Sequence, residues 1–267
     1  MDKSTLQNIK LFLFDMDGTL YLGDRLFEFT PELLSTIKAR GGRYLFMTNN
    51  SSKSVADYVK KLAKLGIEST EEDFITSSQA TVYYLKKYHK DAVLYVCGTQ
   101  SLIDEFKSHG FTVTDDLSKV ECIVMGNDNE LNFKKLEDVC KLLFANPHIP
   151  YIATNPDYVC PTEFGSVPDC GSVCDMIYNC TKLRPVFIGK PSPLMPQLAM
   201  EKYGISGNQT AVIGDRIYTD VKSGINAGAV SVLVMSGETT YEILNESPDK
   251  PDFVLKDGRE LMDIINE

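Results

Sequence analysis

Phe14-Asp15-Met16-Asp17-Gly18-Thr19-Leu20 follows the apolar run Leu11-Phe12-Leu13, and together they read as a short buried strand entering a loop. Asp15 and Asp17 therefore stand where the strand gives way to a glycine-containing turn. In open parallel sheets, ligands gather at the carboxyl ends of strands. Two carboxylates held close there can bind a cation, share a proton, or divide nucleophilic and acid–base duties. A helix–loop–helix calcium loop starting at Asp15 would need glycine at its sixth position and glutamate at its twelfth. Those positions are Leu20 and Leu26, so that reading fails.

Outward from this stretch the chain alternates strand and helix. Thr30-Pro31-Glu32 reads as an N-cap, a first-turn proline and a first-turn acid, opening a helix that stops at Gly41-Gly42. Tyr44 to Met47 is a second apolar run, ending at Thr48-Asn49-Asn50. The next helix carries Val55, Val59 and Leu62 on one face and stops at Gly66. The same grammar returns late in the chain. Ser192-Pro193 opens a helix closed by Gly204, and Ala211 to Ile213 is a strand ending at Gly214-Asp215. A helix then ends near Gly228, Ser231 to Val234 is strand-like, and Phe253 to Leu255 precedes a terminal helix. This pattern predicts an α/β fold with a Rossmann-like parallel sheet covered by helices.

Between Thr48 and Lys190 lie 141 residues, far more than one crossover needs. They contain strand signals of their own at Val93–Val96, Cys122–Met125 and Tyr151–Ala153. The expectation is a core formed by residues 1–78 and 186–267, with a second α/β domain inserted at 79–185.

Composition narrows the function classes. The 267 residues are 43% hydrophobic and 24% charged, enough to build a full core, and the formal net charge is −10. That balance argues against nucleic acid or an anionic membrane as main partner. The lysines at 60, 61 and 64 and at 86, 87 and 90 read as solvated helix faces. No run is long and apolar enough to span a bilayer, and the N-terminus lacks a secretory h-region, so a cytoplasmic location is expected. Four of the seven cysteines (Cys160, Cys170, Cys174 and Cys180) fall within 21 residues. They form no CxxC pair and have no histidine nearby, so they read as reduced thiols rather than a zinc site.

Taken as one site, the strand ends suit phosphoryl transfer. A carboxylate can attack phosphorus, and a second can protonate the leaving oxygen and later deprotonate water. The hydroxyl of Thr48, the amide of Asn49 and the ammonium of Lys190 can hold phosphate oxygens. Asp15, Asp17 and Asp215 beside a phosphate dianion would repel one another strongly at low dielectric. A hard divalent cation such as Mg²⁺ would neutralise the cluster.

Four ordered segments carry a family resemblance. They are Asp15-Met16-Asp17-Gly18-Thr19-Leu20, Thr48-Asn49-Asn50, Gly189-Lys190-Pro191 and Gly214-Asp215-Arg216-Ile217-Tyr218-Thr219-Asp220. Together they resemble the four motifs of the haloacid dehalogenase (HAD) superfamily and span essentially the whole chain. The resemblance implies Asp15 as nucleophile, Asp17 as general acid/base, and phosphate contacts from Thr48, Asn49 and Lys190. It also implies Mg²⁺ held by the Asp15 carboxylate, the Asp17 backbone carbonyl and Asp215, with Asp220 in support. Dehalogenases of this fold lack the second carboxylate, so Asp17 favours phosphoryl transfer.

Only 30 residues separate Asp17 from Thr48, too few for a cap in that interval. A large insert after Thr48 resembles the NagD-like, or nitrophenylphosphatase-like, branch with its C2-type α/β cap. Thr154-Asn155-Pro156-Asp157 and Gly171-Ser172 resemble that cap too. Asp128, after Gly126-Asn127, resembles a cap position near the substrate, and it also reads as a plain turn acid. Asn132-Phe133 stands where Thr-Tyr is common, and Cys170 replaces a small residue. Both departures bear on substrate preference rather than on the chemistry.

The expected function is Mg²⁺-dependent hydrolysis of small-molecule phosphate monoesters through an aspartyl-phosphate intermediate. Nucleotides, sugar phosphates, phosphoglycolate and pyridoxal phosphate are all allowed by the resemblance. A phosphotransferase or mutase would use the same intermediate but pass the phosphoryl group to a second hydroxyl, and a non-catalytic phosphometabolite-binding module would bind without turnover. Caps of this branch often supply dimer contacts, so a homodimer is one expected assembly.

Overall fold

Leu11–Phe14 forms a strand with all four side chains buried. The computed structural model describes residues 2–162 and 164–267, and this strand lies inside a six-stranded sheet. The sheet order is Phe253–Leu255, Val230–Val234, Thr210–Gly214, Leu11–Phe14, Arg43–Thr48 and Phe74–Thr76. Leu11 sits beside Thr210 on one side and Arg43 on the other, in parallel register. Thr210–Gly214 pairs in parallel with Val230–Val234, which pairs in parallel with Phe253–Leu255. Strands of such sheets are covered on both faces, so their apolar runs are continuous rather than alternating. Because these strands run the same way, the positions after Phe14, Thr48, Gly214 and Val234 share one edge of the sheet.

The chain divides into two units. The first comprises the chain up to Thr48, Tyr58–Ile75 and Lys190–Glu267, and the second comprises Asn49–Asp57 and Thr76–Gly189. In the first, helices Thr30–Ala39 and Gly258–Asn266 pack on each other, as do Leu194–Tyr203 and Lys222–Ala227.

The second unit has its own four-stranded sheet, in the order Val186–Phe187, Tyr151–Ala153, Cys122–Met125 and Leu94–Cys97, all parallel. Its helices begin with side-chain caps. Thr76 and Gln79 form a reciprocal capping box for Ser77–Tyr88, and Thr99, Asn132 and Asp169 cap Gln100–Ser108, Phe133–Ala145 and Cys170–Thr181. Ile123, Met125, Val139, Leu143, Cys170, Cys174 and Ile177 fill its core.

Several elements differ from the sequence reading. Thr30 does not cap its helix: it lies inside Thr30–Ala39, and its hydroxyl donates to the Leu20 carbonyl at 2.7 Å, tying helix to motif loop. The strand expected at Val93–Val96 is Leu94–Cys97, because the Val93 N–H is taken by the Glu121 carboxylate. The edge strand Phe74–Thr76 and the hairpins Tyr21–Leu22/Arg25–Leu26 and Val159–Thr162/Gly165–Pro168 were not expected at all. Among the described residues no helix is long and apolar enough to cross a membrane.

Candidate active site

In the first unit, strand ends bring Asp15, Asp215 and Asp220 together. One carboxylate oxygen from each lies within 4.8 Å of the others. Asp15 is fixed by its backbone, whose N–H donates to the Ile213 carbonyl at 2.8 Å and so continues the sheet ladder. Asp17 sits across a turn that the Gly18 N–H closes onto the Tyr21 carbonyl at 2.8 Å. Its carboxylate accepts a long bond, 3.4 Å, from the Gly23 N–H.

Asp215 is buried and wedged between glycines. A Cβ on Gly237 would fall 2.0 Å from its Oδ2, and one on Gly18 would fall 2.5 Å away. Gly18 also has φ +81°, which L side chains rarely adopt. The Glu238 N–H donates to Asp215 Oδ2 at 2.7 Å, whereas Asp215 Oδ1 is buried with no hydrogen-bond partner.

Lys190 closes the cluster. Its ammonium, 3% exposed, donates to Asp15 Oδ1 and Asp220 Oδ1, both at 2.6 Å, and to the Met47 carbonyl at 3.3 Å. Asp220, with no exposed surface, also accepts from the Arg216 N–H at 3.1 Å through Oδ2. Asp220 thus lies in the turn Ile217–Val221 ahead of helix Lys222–Ala227, and both its oxygens are engaged.

The electrostatics follow from burial. Burial, then the charges of Asp15 and Asp220, pushes the Asp215 carboxyl up to about 8. Burial pushes Asp220 up to about 6, against the pull of Lys190. Burial alone would lower the Lys190 ammonium, but Asp15 and Asp220 outweigh it and raise it above the ordinary lysine range. Partial desolvation raises Asp17, opposed by the Gly23 N–H and the Lys61 charge. A raised carboxyl is the property a general acid needs.

The donor set fits a hard divalent cation. An unpartnered buried carboxylate oxygen is costly, and Asp215 Oδ1 is one. Three carboxylates against one lysine leave negative charge uncompensated. Oxygen ligands of this kind suit Mg²⁺.

Of the other expected residues, Thr48 is buried at the end of its strand. Asn49 and Asp128 belong to the second unit. The Asn49 side-chain amide donates to Asp157 Oδ2 at 3.0 Å. Asp128 is a turn acid with a salt bridge: Oδ1 accepts from the Glu130 N–H at 2.9 Å, and Oδ2 meets Lys135 Nζ at 2.7 Å.

No role was expected for Arg216, Glu238 or Ser236. Arg216 Nε pairs with Glu238 Oε2 at 2.8 Å, and Tyr218 donates to Glu238 Oε1 at 2.6 Å. The Ser236 hydroxyl donates to the Gly18 carbonyl at 2.7 Å, joining this loop to the aspartate loop. A signal was available: Met235-Ser236-Gly237-Glu238 follows the end of the strand Val230–Val234, as Asp15 and Asp215 follow the ends of theirs.

Comparison with known proteins shows the family. Residues 12–112 match the family described as haloacid dehalogenase-like hydrolase, and residues 187–261 match a second HAD-hydrolase-like family. The chain is 35% identical to the 5'-nucleotidase YutF of Bacillus subtilis, over 92% of this chain and 94% of the relative. It belongs to the haloacid dehalogenase-like hydrolases. Its structure resembles 4-nitrophenylphosphatase from Thermotoga maritima with a TM-score of 0.92 at 40% identity, covering 98% of this chain and 99% of that one. A putative NagD protein matches with a TM-score of 0.89 at 37% identity, covering 97% and 99%. Glycerol phosphate phosphatase from Mycobacterium tuberculosis, solved in complex with magnesium, matches with a TM-score of 0.87 at 26% identity, covering 96% and 77%. Within the HAD superfamily the chain is a NagD-like phosphatase.

Proposed function

We propose that this phosphatase hydrolyses small-molecule phosphate monoesters with Mg²⁺ through an aspartyl phosphate on Asp15. The observation that supports it best is the Asp15, Asp215 and Asp220 cluster with an unpartnered Asp215 oxygen and a buried Lys190. An Asp15 carboxylate oxygen attacks phosphorus and the ester oxygen departs. Asp17, its carboxyl raised by desolvation, protonates that oxygen. Asp17 then takes a proton from water, whose oxygen attacks phosphorus, freeing Asp15 and releasing phosphate. Thr48, Asn49 and Lys190 hold the phosphate oxygens, and Asp220 keeps Lys190 in place. The Asp15 carboxylate, the Asp17 backbone carbonyl and Asp215 would hold Mg²⁺, which would supply the charge neutralisation that lets an anion approach a phosphate dianion.

The inserted 79–185 segment acts as the substrate-selecting cap, with nucleotides and glycerol-type or sugar phosphates as the substrate class. The setting is cytoplasmic, with neither nucleic acid nor membrane as partner and a homodimer as the expected assembly. The test is turnover of 4-nitrophenyl phosphate with Mg²⁺ and with a chelator. Rapid turnover only with the metal is expected, and equal rates in both would overturn the metal requirement.

Asp17→Asn is expected to lower kcat by about 10²–10⁴-fold. It keeps the backbone carbonyl, so Mg²⁺ affinity measured by calorimetry should change little. An unchanged kcat would remove Asp17 from acid–base duty.

The metal-free protein should lose stability as pH rises between 3.8, the ordinary aspartate value, and about 8. The sign follows from Asp215 and Asp220: the folded state keeps protons that the unfolded state has released, so raising the pH favours unfolding. Mg²⁺ needs deprotonated ligands, so its affinity should rise across this window and its binding should release protons. Calorimetry in buffers of different protonation enthalpy reads that release. Proton-free binding at pH 6 would contradict it.

A further inference from the structure

The Thr154-Asn155-Pro156-Asp157 segment follows the strand Tyr151–Ala153 of the second unit, and the catalytic reading leaves it without a task. Its side chains form a buried network. Thr154 Oγ1 donates to Asn155 Oδ1 at 2.9 Å, and Asn155 Nδ2 reaches Asp169 Oδ1 at 3.2 Å and Asp157 Oδ2 at 3.3 Å. Asp157 Oδ2 also accepts from Asn49 Nδ2 at 3.0 Å.

Asn49 is the first residue of the second unit and is bonded directly to Thr48. Several contacts hold this entry segment to the network. The Ser51 hydroxyl meets Thr154 Oγ1 at 2.9 Å and accepts from the Asn127 N–H at 3.0 Å. The Asn49 carbonyl accepts from the Ser77 hydroxyl at 2.6 Å. The exit segment is tied to the same place: the Gly189 N–H donates to the Thr154 carbonyl at 2.7 Å. Gly189 has no room for a side chain, since a Cβ there would lie 2.5 Å from Asn49 Oδ1. Two of the four points where the chain passes between the units, at Asn49 and at Gly189, are thus fastened to Thr154–Asp157.

We propose that Asp157 is a positioning residue for the phosphatase reaction, fixing the Asn49 side-chain amide through Oδ2. The inference rests on the reading of Asn49 as a phosphate-site residue. A carboxylate acceptor makes a charge-assisted bond, stronger than an amide–amide contact, and it selects one of the two flip states of the Asn49 amide. With the amide pinned, the Asn49 side chain next to Thr48 is held in one orientation. Without Asp157 the Asn49 amide loses this charged acceptor, and the site must order it at each turnover.

The experiment is a double-mutant cycle on kcat/KM with 4-nitrophenyl phosphate and Mg²⁺, each variant checked by thermal melting. Asp157→Ala should lower kcat/KM about tenfold, and Asp157→Asn, which keeps an acceptor oxygen without the charge, about threefold. In the Asn49→Ala background either Asp157 change should cost less than about twofold further, because coupled residues are non-additive. A purely structural role would lower the melting temperature and carry its full kinetic loss into the Asn49→Ala background. That additive result overturns the proposal, as does wild-type kcat/KM in Asp157→Ala. If Asp157→Ala does not fold, the Asp157→Asn cycle decides by the same criterion. Asn49→Ala alone tests the underlying reading: wild-type kcat/KM there removes Asn49 from the site and the proposal with it, whereas additivity with an impaired Asn49→Ala overturns only the role of Asp157.

Discussion

Asp15→Asn is expected to lower turnover of 4-nitrophenyl phosphate by about 10⁴–10⁶-fold, the scale seen when a covalent nucleophile is removed. The amide keeps the size of the carboxylate and still offers an oxygen to Lys190, which donates to Asp15 Oδ1 in the native site. The strand Leu11–Phe14 and the Asp15 N–H bond to Ile213 do not involve the side chain, so the fold should stand. The variant should even melt no lower than the wild type without metal. Asp15 is one of the charges that raise Asp215 and Asp220, and removing it relieves repulsion inside a buried cluster. Two measurements separate the nucleophile from a mere metal ligand. Acid quenching of the wild type during turnover of labelled substrate should trap a base-labile acyl phosphate that the variant never forms. Raising Mg²⁺ should not rescue the variant, as it would if Asp15 only helped to bind the ion. Metal-dependent turnover retained in Asp15→Asn would sink the mechanism.

The site was legible where chemistry coincided with a strand end. Apolar runs marked the ends at Phe14, Thr48 and Gly214, and parallel pairing places them on one edge. The partners of those residues were not legible. Lys190 and Asp15 are 175 positions apart, and nothing local says that the lysine would engage two carboxylates. Arg216 and Glu238 meet only because neighbouring strands end side by side. Thr30 misled because a threonine before proline is a good cap, and the nearby Leu20 carbonyl won its hydroxyl instead. The strand Val159–Thr162 contains a proline, which sheets tolerate only where no ladder donor is needed, and this hid the hairpin. Asp157 was visible as part of a motif, but its link to Asn49 spans 108 positions and needs the folded second unit.

Lys190→Met should destabilise the metal-free protein by about 3–5 kcal/mol near pH 8, the usual cost of leaving a buried partner charge uncompensated. The methionine preserves most of the side-chain volume, so packing changes little and the charge dominates. Without the ammonium, Asp220 keeps only the Arg216 N–H, with no exposed surface to let water take over. Its carboxyl, already pushed up to about 6 by burial while Lys190 pulls it down, must then rise further. The pH dependence has a definite sign. The wild-type lysine has a raised pKa, so its contribution is fully present at every pH below the ordinary lysine range. In the variant Asp220 is protonated in the folded state as pH falls, which removes the unpaired charge. The deficit should therefore shrink between pH 8 and pH 5. Adding Asp220→Asn to Lys190→Met should recover much of the stability at pH 8, because a neutral pair of similar shape carries no buried charge. Denaturant unfolding of the single and double variants at both pH values reads this directly. A deficit that is equal at pH 5 and pH 8, and untouched by Asp220→Asn, would mean that Lys190 stabilises by packing. The activity of the double variant should stay low even so, because the restored fold would still lack the ammonium that donates to Asp15.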